Sequence, residues 1–210
     1  MKILLPYHLG CGNRGCEGIA RGIFKILNLE KNQMILFDIS PDDYAMDMKF
    51  HLDEIGELKY TKQNKKFEIM RLLCRVLQKI KLPSFYNQLM SSYYVKHAEP
   101  EDLIFITGGD IYCYEEAAEL PNLIAKKDNK KGIKIILFGA SMEKKFLDNR
   151  TIEGLKNYDL IITRETISAK TLKDVGLKNY LYPDPAFSLH SQMCTLSLHR
   201  CNVPLLPTEH

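Results

Sequence analysis

Residues 132–185 read GIKIILFGASMEKKFLDNRTIEGLKNYDLIITRETISAKTLKDVGLKNYLYPDP. Three short apolar runs, Ile133–Phe138, Leu160–Ile162 and Tyr180–Tyr182, alternate with two stretches of helical length, Thr151–Asn157 and Glu165–Val175. Runs this short that are apolar throughout, rather than at every second residue, predict strands covered on both faces. Gly176 directly after Val175 is a helix stop. Strands that alternate with helices in this way need crossover connections, which place the strands parallel to one another and define the doubly wound α/β class.

The same rhythm extends towards the N-terminus. Further strands are expected at Ile3–Leu5, Met34–Phe37 and Leu103–Ile106, and further helices at Glu17–Asn28 and Glu115–Lys127. Residues 1–190 are therefore read as one Rossmann-like α/β domain with a mainly parallel sheet. Residues 41–101 break the rhythm. Asp42–Glu57 is acidic and poorly patterned, and is expected to be a loop with one short strand. Lys59–Leu82 sets eight cations, among them Lys62, Lys65, Lys66 and Arg71, against Glu68 alone, with Ile69, Leu72, Leu73 and Val76 at helical spacing. That pattern predicts a basic amphipathic helix, either packed on the sheet with a solvated cationic face or in peripheral contact with a membrane. Phe85–His97 is expected to form a second helix. Residues 191–210 show no helical or strand period and are read as an irregular tail.

Composition narrows the function classes. With 210 residues, 45% hydrophobic and 26% charged, the chain is long enough for a full core and is neither disordered nor fibrous. A net charge of +3, from 29 basic and 26 acidic residues, excludes whole-surface attraction to nucleic acid. Pro6 interrupts the first apolar run, and no stretch approaches the roughly 18–20 apolar residues of a membrane span. The expected location is the cytoplasm. The six cysteines lack the spacing of a metal motif, so reduced thiols and no metal are expected.

In an open α/β sheet, ligands bind beyond the carboxyl ends of the strands. Five of the six expected strands end in polar or glycine-rich segments: GCGNRGCEG after the first, TGGD after the third, GAS after the fourth, TRETIS after the fifth and PDP after the sixth. So many at one edge point to a ligand crevice. Gly10, Gly12 and Gly15 also fit the G-x-G-x-x-G pattern, with Asp38 near the distance of a ribose-binding acid, so a nicotinamide-dependent oxidoreductase is one reading. The intervening Pro6–Leu9 and the bulk of Arg14 speak against it. The other reading is a cradle for an anionic or sugar ligand, with donors from Asn13, Arg14 and the helix start at Glu17.

Arg164, directly after a strand, offers a rigid fork to a carboxylate or phosphate, or pairs structurally with Glu165 or Asp184. Asp110 either positions and deprotonates a hydroxyl or caps a turn. Asp184, between two prolines, suits a rigid turn. His8, the only histidine near a strand exit, ranks below these.

Taken in order, GCGNRGCEGIARG, ITGGDIYCY, LFGASME and ITRETISAKTLKDVGLKNYLYPDPAF resemble the polysaccharide pyruvyl transferase family over about residues 1–189. The GNRGCE segment, the Arg164–Glu165–Ser168 segment and the PDP segment carry most of that resemblance. It implies a transferase that moves the enolpyruvyl carbons of phosphoenolpyruvate onto sugar hydroxyls as a ketal, in making surface polysaccharides. The implied partners are phosphoenolpyruvate and a saccharide acceptor, with no separate cofactor. Family members resemble two Rossmann-like halves in a glycosyltransferase-B-like arrangement with the site between them, so this chain reads as a truncated form holding the first half. On that reading Arg164 and Asp110 are catalytic, and Gly12, Asn13, Arg14, Gly15, Glu17, Gly108, Gly109, Ser141, Glu165, Ser168 and Asp184 bind substrate. A non-catalytic domain that binds sugar or a partner chain is the remaining alternative.

Overall fold

The computed structural model describes residues 1–6, 8, 10–38, 41–60, 83–114, 117–127 and 132–189. Seven parallel strands form one sheet in the order β3-β2-β1-β4-β5-β6-β7. They are β1 (Ile3–Leu5), β2 (Met34–Asp38), β3 (Glu57–Tyr60), β4 (Leu103–Thr107), β5 (Lys134–Ala140), β6 (Leu160–Thr163) and β7 (Tyr180–Leu181). The helices are α1 (Arg14–Ile26), α2 (Pro41–Lys49), α3 (Pro83–Lys96), α4 (Glu119–Lys127), α5 (Asn149–Leu155) and α6 (Thr166–Asp174). Among the described residues, no helix is long and apolar enough to cross a membrane.

The strands are apolar throughout because each face of the sheet has its own cover. Leu4, Ile35, Phe37, Ile104, Ile106, Ile135 and Leu137 point into one core, with Met90 and Tyr94 of α3, Ile124 of α4 and Leu172 of α6. Their neighbours Ile3, Leu5, Met34, Leu36, Phe105 and Phe138 point the other way, against Ile19, Ala20 and Ile23 of α1 and Leu52. Both sets alternate along the same strands, as pleating requires. This is the doubly wound α/β fold.

The segment after β2 differs from the expected loop. Pro41–Lys49 is a helix, with proline at its first position and Asp42 and Asp43 in its first turn. Proline there loses no hydrogen bond and the acids complement the helix dipole, so the acidic composition marks a helix start. The short strand, β3, begins only at Glu57, the last residue of the stretch where it was expected. Its last residues, Lys59 and Tyr60, belong to the sheet rather than to the basic helix expected from Lys59; residues 61–82 of that helix, and the tail at 190–210, lie outside the described residues.

The strand order places the switch in chain direction between β1 and β4. From β1 the chain builds outward through β2 and β3, then continues on the other side of β1 with β4. Loops that leave β1 and β4 therefore diverge, and a crevice opens between them. Gly10–Asn13 and Gly108–Asp110 flank it.

Candidate functional site

Arg164 follows β6 and sits 28% exposed at the carboxyl edge. Its Nε donates to Ser141 Oγ after β5 at 2.8 Å, its Nη2 to Asp110 Oδ1 after β4 at 2.7 Å and its Nη1 to Asp184 Oδ2 after β7 at 3.3 Å. Four adjacent strand exits thus converge on one guanidinium. Ser141 also donates its backbone N–H to the Gly109 carbonyl at 2.6 Å, which ties the β4 and β5 exits together beneath it. Of the five N–H groups of a guanidinium, these bonds use three, and two have no partner among the described residues. Asp110 is 52% exposed, whereas Asp184 is 14% exposed and also accepts from the Ala186 N–H, capping the turn Pro185–Ser188. Burial and the neighbouring Asp110 charge push the Cys113 thiol up, which keeps it protonated beside the cluster.

Glu165 and Ser168 have structural partners. The Glu165 carboxylate caps α6 by accepting the N–H of Ile167 at 2.8 Å and of Ser168 at 3.1 Å. Buried Ser168 donates its hydroxyl to Glu165 and accepts the Met142 N–H at 2.7 Å. The R-E-x-x-S pattern is therefore one projecting Arg followed by a cap that locks α6 to the β5 exit. Of the two structural pairings open to Arg164, the one with Asp184 forms and the one with Glu165 does not; Asp110 is a further partner.

At the first exit, the structure differs from the expected row of free donors. Asn13 caps α1 with its side chain on the Gly15 N–H at 2.9 Å, and its carbonyl takes the N–H groups of Cys16 and Glu17. The helix start thus satisfies the amides of Gly15, Cys16 and Glu17 by itself. Arg14 pairs with Glu17 at 2.6 Å, and its guanidinium carbon lies 3.6 Å from the centre of the Phe50 ring. Glu17 also holds Arg21. These contacts knit α1 to the end of α2. Gly12 has open space around it. Asp110 and Arg164 meet; Asn13 serves its own helix nearby on the same edge.

α1 reaches the cluster through glycine. A Cβ on Gly22 would fall 2.2 Å from the Pro185 carbonyl oxygen, and one on Gly18 would fall 3.1 Å from Ala186 Cβ. The Pro185–Ala186 segment, next to Asp184, lies directly on this face. A groove between α4 and α5, lined by Tyr112, Tyr114, Glu119, Asn122, Arg150 and Asn157, opens beside the loop that carries Asp110.

A second cluster lies after β1 and β2, and only His8 and Asp38 of its members were singled out in the sequence. His8 Nε2 and Asp47 Oδ2 of α2 are 2.8 Å apart and hydrogen-bonded, and the Cys11 N–H donates to Asp47 Oδ1 at 2.6 Å. Burial would raise the Asp47 carboxyl, but the bonds from His8, Cys11 and Asp38 outweigh it and hold it below its ordinary range. Asp38, fully buried, is pushed up to about 9 by burial first and by the Asp47 charge second. Burial also carries the Cys11 thiol well above its usual range. An acid buried against Asp47 is not presented to a ribose, so the dinucleotide reading loses its key residue. Asp47 could have been found by reading Pro41–Lys49 as a helix.

An open α/β sheet whose exits gather an arginine, two carboxylates and a serine sets a cluster of charged and polar groups at its carboxyl edge. The family model for polysaccharide pyruvyl transferase matches residues 13–194, and the chain belongs to that family. No curated protein and no solved structure matches it.

Proposed function

We propose that the Arg164 cluster binds phosphoenolpyruvate and supports transfer of its pyruvyl carbons to a saccharide. The observation that carries this reading is the convergence of Ser141, Asp110 and Asp184 on one guanidinium, with two N–H groups of its fork left over. A planar fork with parallel donors fits a carboxylate or a phosphate bidentately.

The reaction balances as follows. The enol methylene takes a proton and becomes the methyl group. One sugar hydroxyl oxygen adds to C2, a second displaces phosphate from C2, and the ketal is complete. Of the two hydroxyl protons, one is matched by the methylene and the other leaves with phosphate. Arg164 orients the anion, and its charge favours phosphate as a leaving group. Asp110, the more exposed of its two carboxylate partners, accepts a proton from the acceptor hydroxyl. Asp184 and Ser141 stay in place and keep the fork aimed. The groove beside Asp110, with Tyr, Asn and charged side chains, suits the saccharide. Residues Gly12, Asn13, Arg14, Gly15 and Glu17 serve this reading as the frame of the opposite wall of the crevice.

The test is release of inorganic phosphate from phosphoenolpyruvate by the full chain, with and without a saccharide carrying two neighbouring hydroxyls. Saccharide-dependent release that falls about 100-fold or more in Asp110→Asn supports the reading, since general acid–base groups contribute on that order. Release that is unchanged in Asp110→Asn removes this residue from the chemistry.

A further inference from the structure

His8, Cys11 and Asp47 bring an imidazole nitrogen, a sulfur and a carboxylate oxygen within 4.8 Å of one another, and all three residues are buried. Asp38, at the end of β2, lies against Asp47, and its exposure is 0%. Apart from the Asp47 carboxylate, neither oxygen of the Asp38 carboxyl has a hydrogen-bond partner among the described residues. Two buried carboxyls side by side call for a proton or a cation between them. We infer that His8, Cys11 and Asp47, with Asp38 beside Asp47, form a buried site for a divalent transition-metal ion of the zinc type.

The donor set selects the ion. One sulfur and one imidazole disfavour magnesium and calcium, which take oxygen ligands, and suit a borderline-soft ion in tetrahedral coordination. Binding requires the Cys11 thiol to release its proton to water. The ion takes the place of the hydrogen bond between His8 Nε2 and Asp47 Oδ2, while Asp47 Oδ1 keeps the Cys11 N–H. That amide orients the carboxylate, as outer partners of metal ligands do.

All three ligands are buried away from the crevice residues of Arg164, so the role of the site is structural. It joins the loop after β1 to α2, against the end of β2. The packing there is already close: a Cβ on Gly10, whose φ is +73°, would fall 2.7 Å from Asp43 Cβ of α2. The ion therefore fixes the turn that forms one wall of the crevice, and this conclusion does not depend on the transfer reaction.

The experiment uses the full chain, stripped with a chelator and titrated with cobalt(II). The expected result is one equivalent bound, with a thiolate-to-cobalt charge-transfer band in the near ultraviolet and tetrahedral absorption in the visible. Cys11→Ser abolishes the near-ultraviolet band. Asp38→Asn weakens binding by at least the roughly 10–100-fold that loss of an outer partner costs. If these variants do not fold, the wild-type spectrum decides alone. Folded wild-type protein without the thiolate band overturns the inference, and so does a band that survives in folded Cys11→Ser.

Discussion

A β-carbon on Gly109 would lie 2.3 Å from Nη1 of Arg164, so the guanidinium occupies space that only a glycine leaves open. The TGGD segment is thus matched to the arginine 55 residues later by shape as well as by the Asp110 ion pair. Gly109→Ala forces the end of a flexible side chain to move, which is cheap in stability and expensive in aim. We expect a thermal midpoint within a few degrees of wild type and a loss of transfer activity of about 10–100-fold, the scale of a small misplacement in a site. Differential scanning fluorimetry beside the phosphate-release assay checks both.

Gly22→Ala presents the opposite case. Its Cβ meets the Pro185 carbonyl, which belongs to backbone that cannot rotate away. Over-packing of this kind costs about 1–3 kcal/mol. Chemical denaturation should show that loss, and Gly12→Ala, with nothing within 4 Å of the new atom, should show much less of it.

Ser168→Ala removes the hydroxyl that accepts the Met142 N–H and leaves a buried amide unsatisfied. The expected destabilisation is about 1–3 kcal/mol. Because Ser168 acts through the β5 exit, the affinity for phosphoenolpyruvate in the folded variant should stay within about threefold of wild type. A large loss of affinity without loss of stability would make Ser168 a ligand-binding residue instead.

In protein kept free of metal, Asp38 makes stability depend on pH. Its folded carboxyl holds a proton up to about pH 9, whereas the ordinary value for an unfolded chain is 3.8. The folded state binds the extra proton throughout that window, so this residue's contribution falls as the pH rises through it. Asp38→Asn, which cannot ionise, should flatten the decline between about pH 5 and 9 in urea titrations. A decline that is identical in the variant would show that Asp38 is not its source.

The fold was legible because the sheet is buried on both faces: β1, β2, β4, β5 and β6 are written as unbroken apolar runs, and the exits of all of them but β2 are marked by a glycine-rich or polar segment. β3 and α2 were obscured because Asp42–Glu57 carries its information as helix-start chemistry rather than as periodicity. Within the site, Arg164, Asp110 and Ser141 could be placed together because consecutive strand exits share one edge. Chemistry alone could not say which acid would take Arg164, since Glu165, Asp184 and Asp110 are all near it in chain or in space. Glu165 was diverted by the three-residue spacing that lets it cap α6. Arg14 was read as a ligand for anions, but Phe50, brought close by the unrecognised α2, gives it an aromatic partner. The buried meeting of Cys11 and Asp47, 36 residues apart, depends on packing that no local pattern encodes.

The most direct test of the central claim is an equilibrium titration of phosphoenolpyruvate against wild type, Arg164→Lys and Arg14→Ala, each confirmed as folded. Lysine at position 164 keeps the charge that Asp110 and Asp184 need and removes the planar fork. We expect saturable binding by wild type, binding by Arg14→Ala within about threefold of it, and binding by Arg164→Lys weakened by about tenfold or more, the scale of one charge-assisted hydrogen bond. Equal affinity in wild type and Arg164→Lys would contradict a donor site built on Arg164.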